Sequence, residues 1–232
     1  MNYRLNLVPE EREPTQAVIE WGDGGTTSVP LVPLPKAVRE WQLKTRMDNL
    51  KFFLTRQGQH DFAVHVGYMA TWSPEGGWPL NVAAKGVGLL PQEDLPELTR
   101  QIETLIQEGL QRGEKETRRR RLEFLLSLYQ QASFSSKCLT TIELYGKTTW
   151  ANVLRDPRCA VLFSSYRNTS FLVNGVCEIL GQETEVYRFV VALHDLFHLP
   201  RGERKPPPAV YRIWVSQVHN KTPGPRAGTR MA

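Results

Sequence analysis

The spacing of apolar residues changes period several times along the chain, and each change marks an element. Near the N-terminus, Tyr3 to Val8 and Gln16 to Trp21 read as two short strands, followed by the loop material of Gly22 to Gly25. Pro30, Pro33 and Pro35 then give an extended linker. Val38, Trp41, Leu50, Phe53 and Leu54 predict a helix over about Lys36 to Arg56, with an apolar face of imperfect period. From Asp61 alternation takes over. Phe62, Val64, Val66, Tyr68 and Ala70 predict a strand, Ser73 to Gly77 a turn, and Pro79 to Leu90 the returning strand. Gly86 and Gly88 inside that strand point to a bulge or to a close approach of backbone or ligand.

Helical spacing then returns. Asp94 and Glu97 resemble a capping pair, and Leu95, Leu98, Ile102, Leu105, Ile106 and Leu110 share one face. A second helix is predicted over Glu114 to Gln131, with Leu122, Leu125, Leu126 and Tyr129 inward and the block Arg118 to Arg121 outward. Two such helices would pack on each other or on a partner, as an insertion between strands. Strands resume at Leu139 to Tyr145, Cys159 to Tyr166 and Ser170 to Leu180, with a short helix at about Thr149 to Arg155 stopped by Asp156-Pro157. A helix over about Glu183 to Leu199 and a last strand over Tyr211 to Val218 complete the pattern. The expected fold is α+β: a six-stranded antiparallel split β-barrel with flanking helices and a helical insertion, closure removing exposed strand edges. Residues 1–35 form an N-terminal extension and linker, 36–219 the barrel domain with its insertion at 92–131, and 220–232 a basic flexible tail.

Composition narrows the classes. Of 232 residues, 41% are hydrophobic and 23% charged, as in globular domains, and no apolar run reaches the length of a membrane span. The first residues lack a basic-then-apolar leader pattern, and three cysteines without metal-ligand spacing fit a reducing compartment, so a cytoplasmic protein is expected. The net charge of +5 is concentrated in Arg118 to Arg121 and beyond Arg201. No RNA-recognition or zinc-finger pattern accompanies it, so the block reads as a solvated helix face rather than a nucleic-acid site.

Candidate chemistry lies in two places. Lys147, Thr148 and Thr149 set a cation and two hydroxyls at a helix start, where unpaired N–H groups favour an anion; the same residues also suit an ordinary capped helix. His194, Asp195 and His198 form H-D-L-F-H, two histidines four apart on one helix face. That spacing suits Zn²⁺, but the pair lacks a third ligand of recognisable spacing, with His219 only a remote one, and no metal site is assigned.

The segment Lys147 to Phe163, KTTWANVLRDPRCAVLF, together with LVNG at Leu172 to Gly175, AAKG at Ala83 to Gly86, and the strand Tyr211 to Val218, resembles the pyridoxamine 5'-phosphate oxidase-like superfamily of FMN-binding split barrels. The resemblance covers roughly residues 60–90 and 138–218. It implies that Lys147, Thr148 and Thr149 hold the FMN phosphate. Asn81 and Val82 would lie along the isoalloxazine, with Lys85 near the phosphate or ribityl chain and Tyr145 beside the turn. It also implies a homodimer and a flavin-dependent oxidoreductase of unknown substrate, without an assigned acid or base. Deazaflavin or haem are other occupants of such folds. The alternative is a non-catalytic split-barrel binding or assembly module without flavin, which the helical insertion, proline-rich linker and basic tail suit. The chain departs from the family in having a single cation at the turn and in carrying the insertion.

Overall fold

The computed structural model describes residues 2–10, 13–73, 78–200, 202 and 205–232. The N-terminal strands β1 (Tyr3–Val8), β2 (Gln16–Trp21) and β3 (Thr26–Pro30) form an antiparallel meander. β1 and β2 match the expected spans. β3 has no counterpart among the expected strands, because its polar TTSVP lacks an apolar alternation. α1 (Lys36–Thr55) follows and ends in a left-handed Arg56.

Six strands close the barrel in the order β4-β5-β6-β9-β8-β7, every neighbouring pair of registered strands antiparallel. They are β4 (Val66–Trp72), β5 (Leu80–Gly88), β6 (Cys138–Glu143), β7 (Arg158–Ser164), β8 (Ser170–Leu180) and β9 (Ala209–Asn220). α2 (Leu95–Arg112) and α3 (Glu114–Gln131) fill the insertion between β5 and β6. α4 (Thr148–Val153) links β6 to β7, and α5 (Glu185–Phe197) links β8 to β9. The caps are the ones the sequence suggested at α2, where Asp94 Oδ1 accepts from Glu97 N at 3.0 Å. Thr184 plays the same part for α5.

Two cores result. Met69, Val87, Leu139, Val161, Phe163, Val173, Tyr211 and Ile213 fill the barrel. A second cluster joins the meander, α1, α2, α3 and α5 to the outer face of β6, β8 and β9. β6 is buried along its whole length because both of its faces are covered.

Two expectations need correcting, and the facing of β4 is settled. Phe62 and Val64 lie in a short 3₁₀ turn capped by Asp61, and the strand begins only at Val66. In β4 the inward positions are Gly67, Met69 and Thr71, while Val66, Tyr68 and Trp72 are exposed. The apolar alternation therefore marks the outer face. Glycine is needed at position 67, since a Cβ there would stand 2.6 Å from Val161 Cγ1. Within the arginine block, Arg121 turns inward and donates to the Leu196 carbonyl. Arg119 and Arg120 pair with Glu123 and Glu108, so internal carboxylates answer much of that charge.

The turn expected over 73–77 lies, beyond Ser73, outside the described residues. The chain after Asn220 folds back on β9: Met231 N donates to Val218 O at 2.7 Å and Gly228 N to Asn220 O at 2.7 Å. Among the described residues no helix is long and apolar enough to cross a membrane.

At Gly175, where the β8–β9 register shifts, an added Cβ would stand 2.3 Å from the Trp214 carbonyl oxygen, a backbone atom with nowhere to go. Gly175→Ala should therefore destabilise the fold by about 1–3 kcal/mol, read as a lower urea midpoint. A midpoint equal to the parent's would contradict the barrel packing described.

Candidate functional site

The β5–β6 ladder is short. It is recorded only at Val87↔Thr141 and Gly88↔Thr140. Continuing that register places Lys85 opposite Glu143, past the end of the ladder, and there side chains replace it. Lys85 Nζ donates to Glu143 Oε2 at 2.7 Å, with the two side chains 10% and 3% exposed. Glu143 Oε2 also accepts from Tyr211 Oη at 3.1 Å, and Oε1 accepts from the amides of Tyr145 at 3.2 Å and Gly146 at 3.0 Å. Burial alone would raise the Glu143 carboxyl. The Lys85 ammonium and the two amides outweigh burial and hold it below the ordinary carboxylate value. Burial, then Glu143, drives the Tyr211 phenol far above its ordinary value.

This network fixes the turn that follows. The chain reverses at Gly146, whose φ of +60° favours glycine, and enters α4. Among the described side chains none caps this helix start at Lys147. α4 plugs the end of the barrel: Trp150 stacks on Tyr211, Asn152 Nδ2 donates to Thr71 Oγ1 at 3.2 Å, and Asn81 Nδ2 donates to Thr149 Oγ1 at 3.1 Å. The two hydrogen bonds exist because the odd-numbered residues of β4 and β5 point into the barrel, and the stack because Tyr211 of β9 does.

The seven residues singled out from the sequence thus fall into two groups. Lys147 and Thr148 are exposed at the turn, with Tyr145 beside them at 76% exposure and Val82 on the outer face of β5 at 57%. Asn81, Lys85 and Thr149 point inward and are engaged with other side chains. Asn81 and Val82, being consecutive in a strand, face opposite ways. Lys85, expected near a phosphate or ribityl chain, is committed to Glu143.

Around Val82 the outer wall of β4 and β5 is apolar and bare: Val66, Tyr68, Trp72, Leu80 and Val82 are all exposed. Trp72 pairs with Leu80 and Ala70 with Val82 across the hairpin, so these side chains form one stripe, on a strand whose Asn81 bonds Thr149, two residues past Lys147.

Glu143 escaped the sequence reading. It stands 58 residues from Lys85 across a helical insertion, and only the barrel register brings the two together. Glu143 is the one acid in a strand otherwise apolar or hydroxylic, CLTTIE, and that isolated charge was the available signal.

The histidine pair is less regular than its spacing suggested. α5 ends at Phe197, so His198 is its C-cap, and the two imidazoles lie 5.2 Å apart. His194 Nδ1 lies 3.0 Å from Asp195 Oδ1. His219 sits on β9 near Gln217. Among the described residues no group of three or more His, Cys, Asp or Glu side chains is arranged to hold a metal ion.

No family model matches the chain, and no curated protein matches it in sequence. Several solved structures match the chain at low identity. HupZ from Group A Streptococcus is 16% identical, over 71% of this chain and 90% of that one, with a TM-score of 0.40. A putative pyridoxamine 5'-phosphate oxidase from Listeria innocua is 13% identical, over 75% and 96%, with a TM-score of 0.38. An F420 reductase is 12% identical, over 66% and 87%, with a TM-score of 0.35. Likeness at this level carries no functional argument, and the site must be judged on its own geometry.

Removing one partner of the Lys85–Glu143 pair leaves a buried charge uncompensated. Glu143→Gln should cost about 3–5 kcal/mol of stability. The Glu143 pKa is lowered on folding, so the pair's stabilisation is complete above the ordinary value of 4.5 and is lost as pH falls through the lowered one. Stability curves of parent and Glu143→Gln proteins should therefore converge as the medium is acidified below that value. Curves that stay parallel through the acid range would contradict the assignment.

Proposed function

We propose that this chain is an FMN-binding split-barrel protein, acting as a flavin-dependent oxidoreductase of unknown substrate, with its flavin held between two copies of the chain. One observation carries the reading: a bare apolar strand face leads to an uncapped turn bearing an exposed cation and hydroxyl. FMN has the matching shape, a flat aromatic ring system joined through a polar chain to a phosphate.

The residues fit such a group. Lys147 would donate to the phosphate through a charge-assisted bond, and Thr148 through its hydroxyl. The backbone N–H groups at the start of α4 have no helical partners and add donors. Thr149 and Asn81 would act indirectly, their mutual hydrogen bond tying α4 to β5 and so fixing the turn against the strand. Lys85 would position the same turn through Glu143, not through the ligand. Val82 would offer its outer surface to the ring, with Tyr145 at the edge.

A bound flavin would supply the hydride and electron chemistry. The protein's part would be to bind it, orient it and keep water from the ring. No residue near the turn is assigned as general acid or base. Exclusion of water needs a cover over β4 and β5, and a second copy of the chain presenting the same stripe would provide one in an isologous dimer.

Lys147→Ala combined with Thr148→Ala should weaken FMN binding by about 2–4 kcal/mol, the sum of one charged and one neutral hydrogen bond. Titration of the flavin's fluorescence measures this, and unchanged affinity in the double variant would remove the phosphate assignment. Val82→Asp, which sets a charge in the middle of the stripe, should shift sedimentation of the protein from dimer to monomer. A parent that sediments as a monomer, or a variant that stays dimeric, would count against the paired arrangement.

A further inference from the structure

Outside the barrel, beside the Val66 end of the bare stripe, α3 and α5 stand off from β5 and β6 and leave a cavity of about 440 Å³. That volume is in the range of small-molecule sites. Its walls are largely apolar, with Phe62, Leu125, Ile142, Val190, Leu193 and Phe197 prominent. Its floor is bare strand at Gly86 and Gly88. At Gly86 an added Cβ would meet nothing within 4 Å, so the glycine leaves open space where any other residue would project.

One polar group in this cavity is out of keeping with the rest. Arg46 lines it, yet is only 2% exposed. Every acceptor it meets among the described residues is neutral. Nε and Nη2 donate to Gln42 Oε1 at 3.2 and 3.0 Å, and Nη2 also donates to the carbonyls of Val64 and Val87. Nη1 donates to His65 Nδ1 at 2.9 Å. Tyr129 adds its ring, 5.8 Å away, and its phenol oxygen, a further neutral hydrogen-bond partner that favours the charged guanidinium. These contacts satisfy hydrogen bonds but none supplies the negative charge that a buried guanidinium calls for.

The His65 contact has a further consequence. A guanidinium has no acceptor, so His65 Nδ1 must accept and its proton must sit on Nε2. Burial first, and the Arg46 and His198 charges after it, hold this imidazole well below its ordinary pKa and keep it neutral. Nε2 then has no protein partner among the described residues. The cavity thus holds a cation lacking a counter-ion beside a neutral N–H donor, in a largely apolar lining that also includes His194 and His198.

We propose that this cavity binds a small apolar molecule carrying one carboxylate, its acid group at Arg46 and His65 and its body against the helices and the bare strand at Gly86. A single buried cation matches a monoanion; a phosphate monoester, close to doubly charged, would leave excess charge buried. The proposal does not rest on the flavin reading: Val66, at one end of the stripe, lines this cavity, but the turn at Lys147 does not.

The test uses 4-phenylbutyrate and its uncharged counterpart 4-phenylbutan-1-ol, titrated calorimetrically into the whole protein. The acid should bind at one site per chain, and the alcohol at least about tenfold more weakly, the worth of a charge-assisted hydrogen bond. Gly86→Phe, which fills open space without a clash at Cβ, should abolish acid binding while leaving the melting transition cooperative and FMN affinity unchanged. The Lys147→Ala/Thr148→Ala variant should bind the acid as the parent does. Equal affinities for acid and alcohol, no heat with the acid at millimolar concentration, or undiminished binding in Gly86→Phe would each overturn the proposal.

Discussion

Much of this structure depends on what happens where the β5–β6 ladder stops. A barrel whose strands part at one seam exposes backbone groups and loosens everything built on that seam. Here a buried ion pair bridges the seam, Lys85 to Glu143, with Tyr211 and two turn amides completing the coordination of the carboxylate. Breaking either half is costly because the other charge stays buried. The pair therefore holds the barrel's open side and sets the path of the chain into α4 at once. A surface pair would do neither, since solvent screens it and side-chain entropy offsets it.

The barrel wall is treated differently on its two sides. β6, β8 and β9 are covered by the helices, and that interface holds the second core. Beyond Val66, β4 and β5 carry Tyr68, Trp72, Leu80 and Val82 outward, and all four are exposed among the described residues. Monomeric proteins seldom leave such a stripe bare, which is why a second copy of the chain enters the functional reading. The helical insertion serves the covered side. It packs on α1 and α5, and where it stands off from β5 it encloses the cavity that holds Arg46.

Particular elements show what the sequence makes legible. α3 runs from Glu114 to Gln131 and β8 from Ser170 to Leu180, as the sequence predicts, because Gly113 bounds the start of one and turn residues the start of the other. Direction is a different matter. Alternation fixes which residues share a face of β4 but not which face meets the core, and the larger side chains point outward because Gly67 admits only a hydrogen beside Val161. Lys85 could be seen as a cation on a strand, but its partner could not, since pairing to Glu143 depends on the closed register. Arg46 was hidden by its helix: with Gln42 and Asn49 it makes a buried polar row on α1, which in sequence only blurs the apolar period. At the candidate site, Lys147 and Thr148 are where a ligand-facing role requires them, whereas Thr149 and Asn81 serve each other.

The most direct check of the central claim is a crystal structure of the protein grown with FMN. The account predicts the phosphate within hydrogen-bond reach of Lys147 and Thr148, with the ring system against Val82 on the outer face of β5. A flavin found elsewhere, with Lys147 left in solvent and the β4–β5 face uncovered, would contradict it.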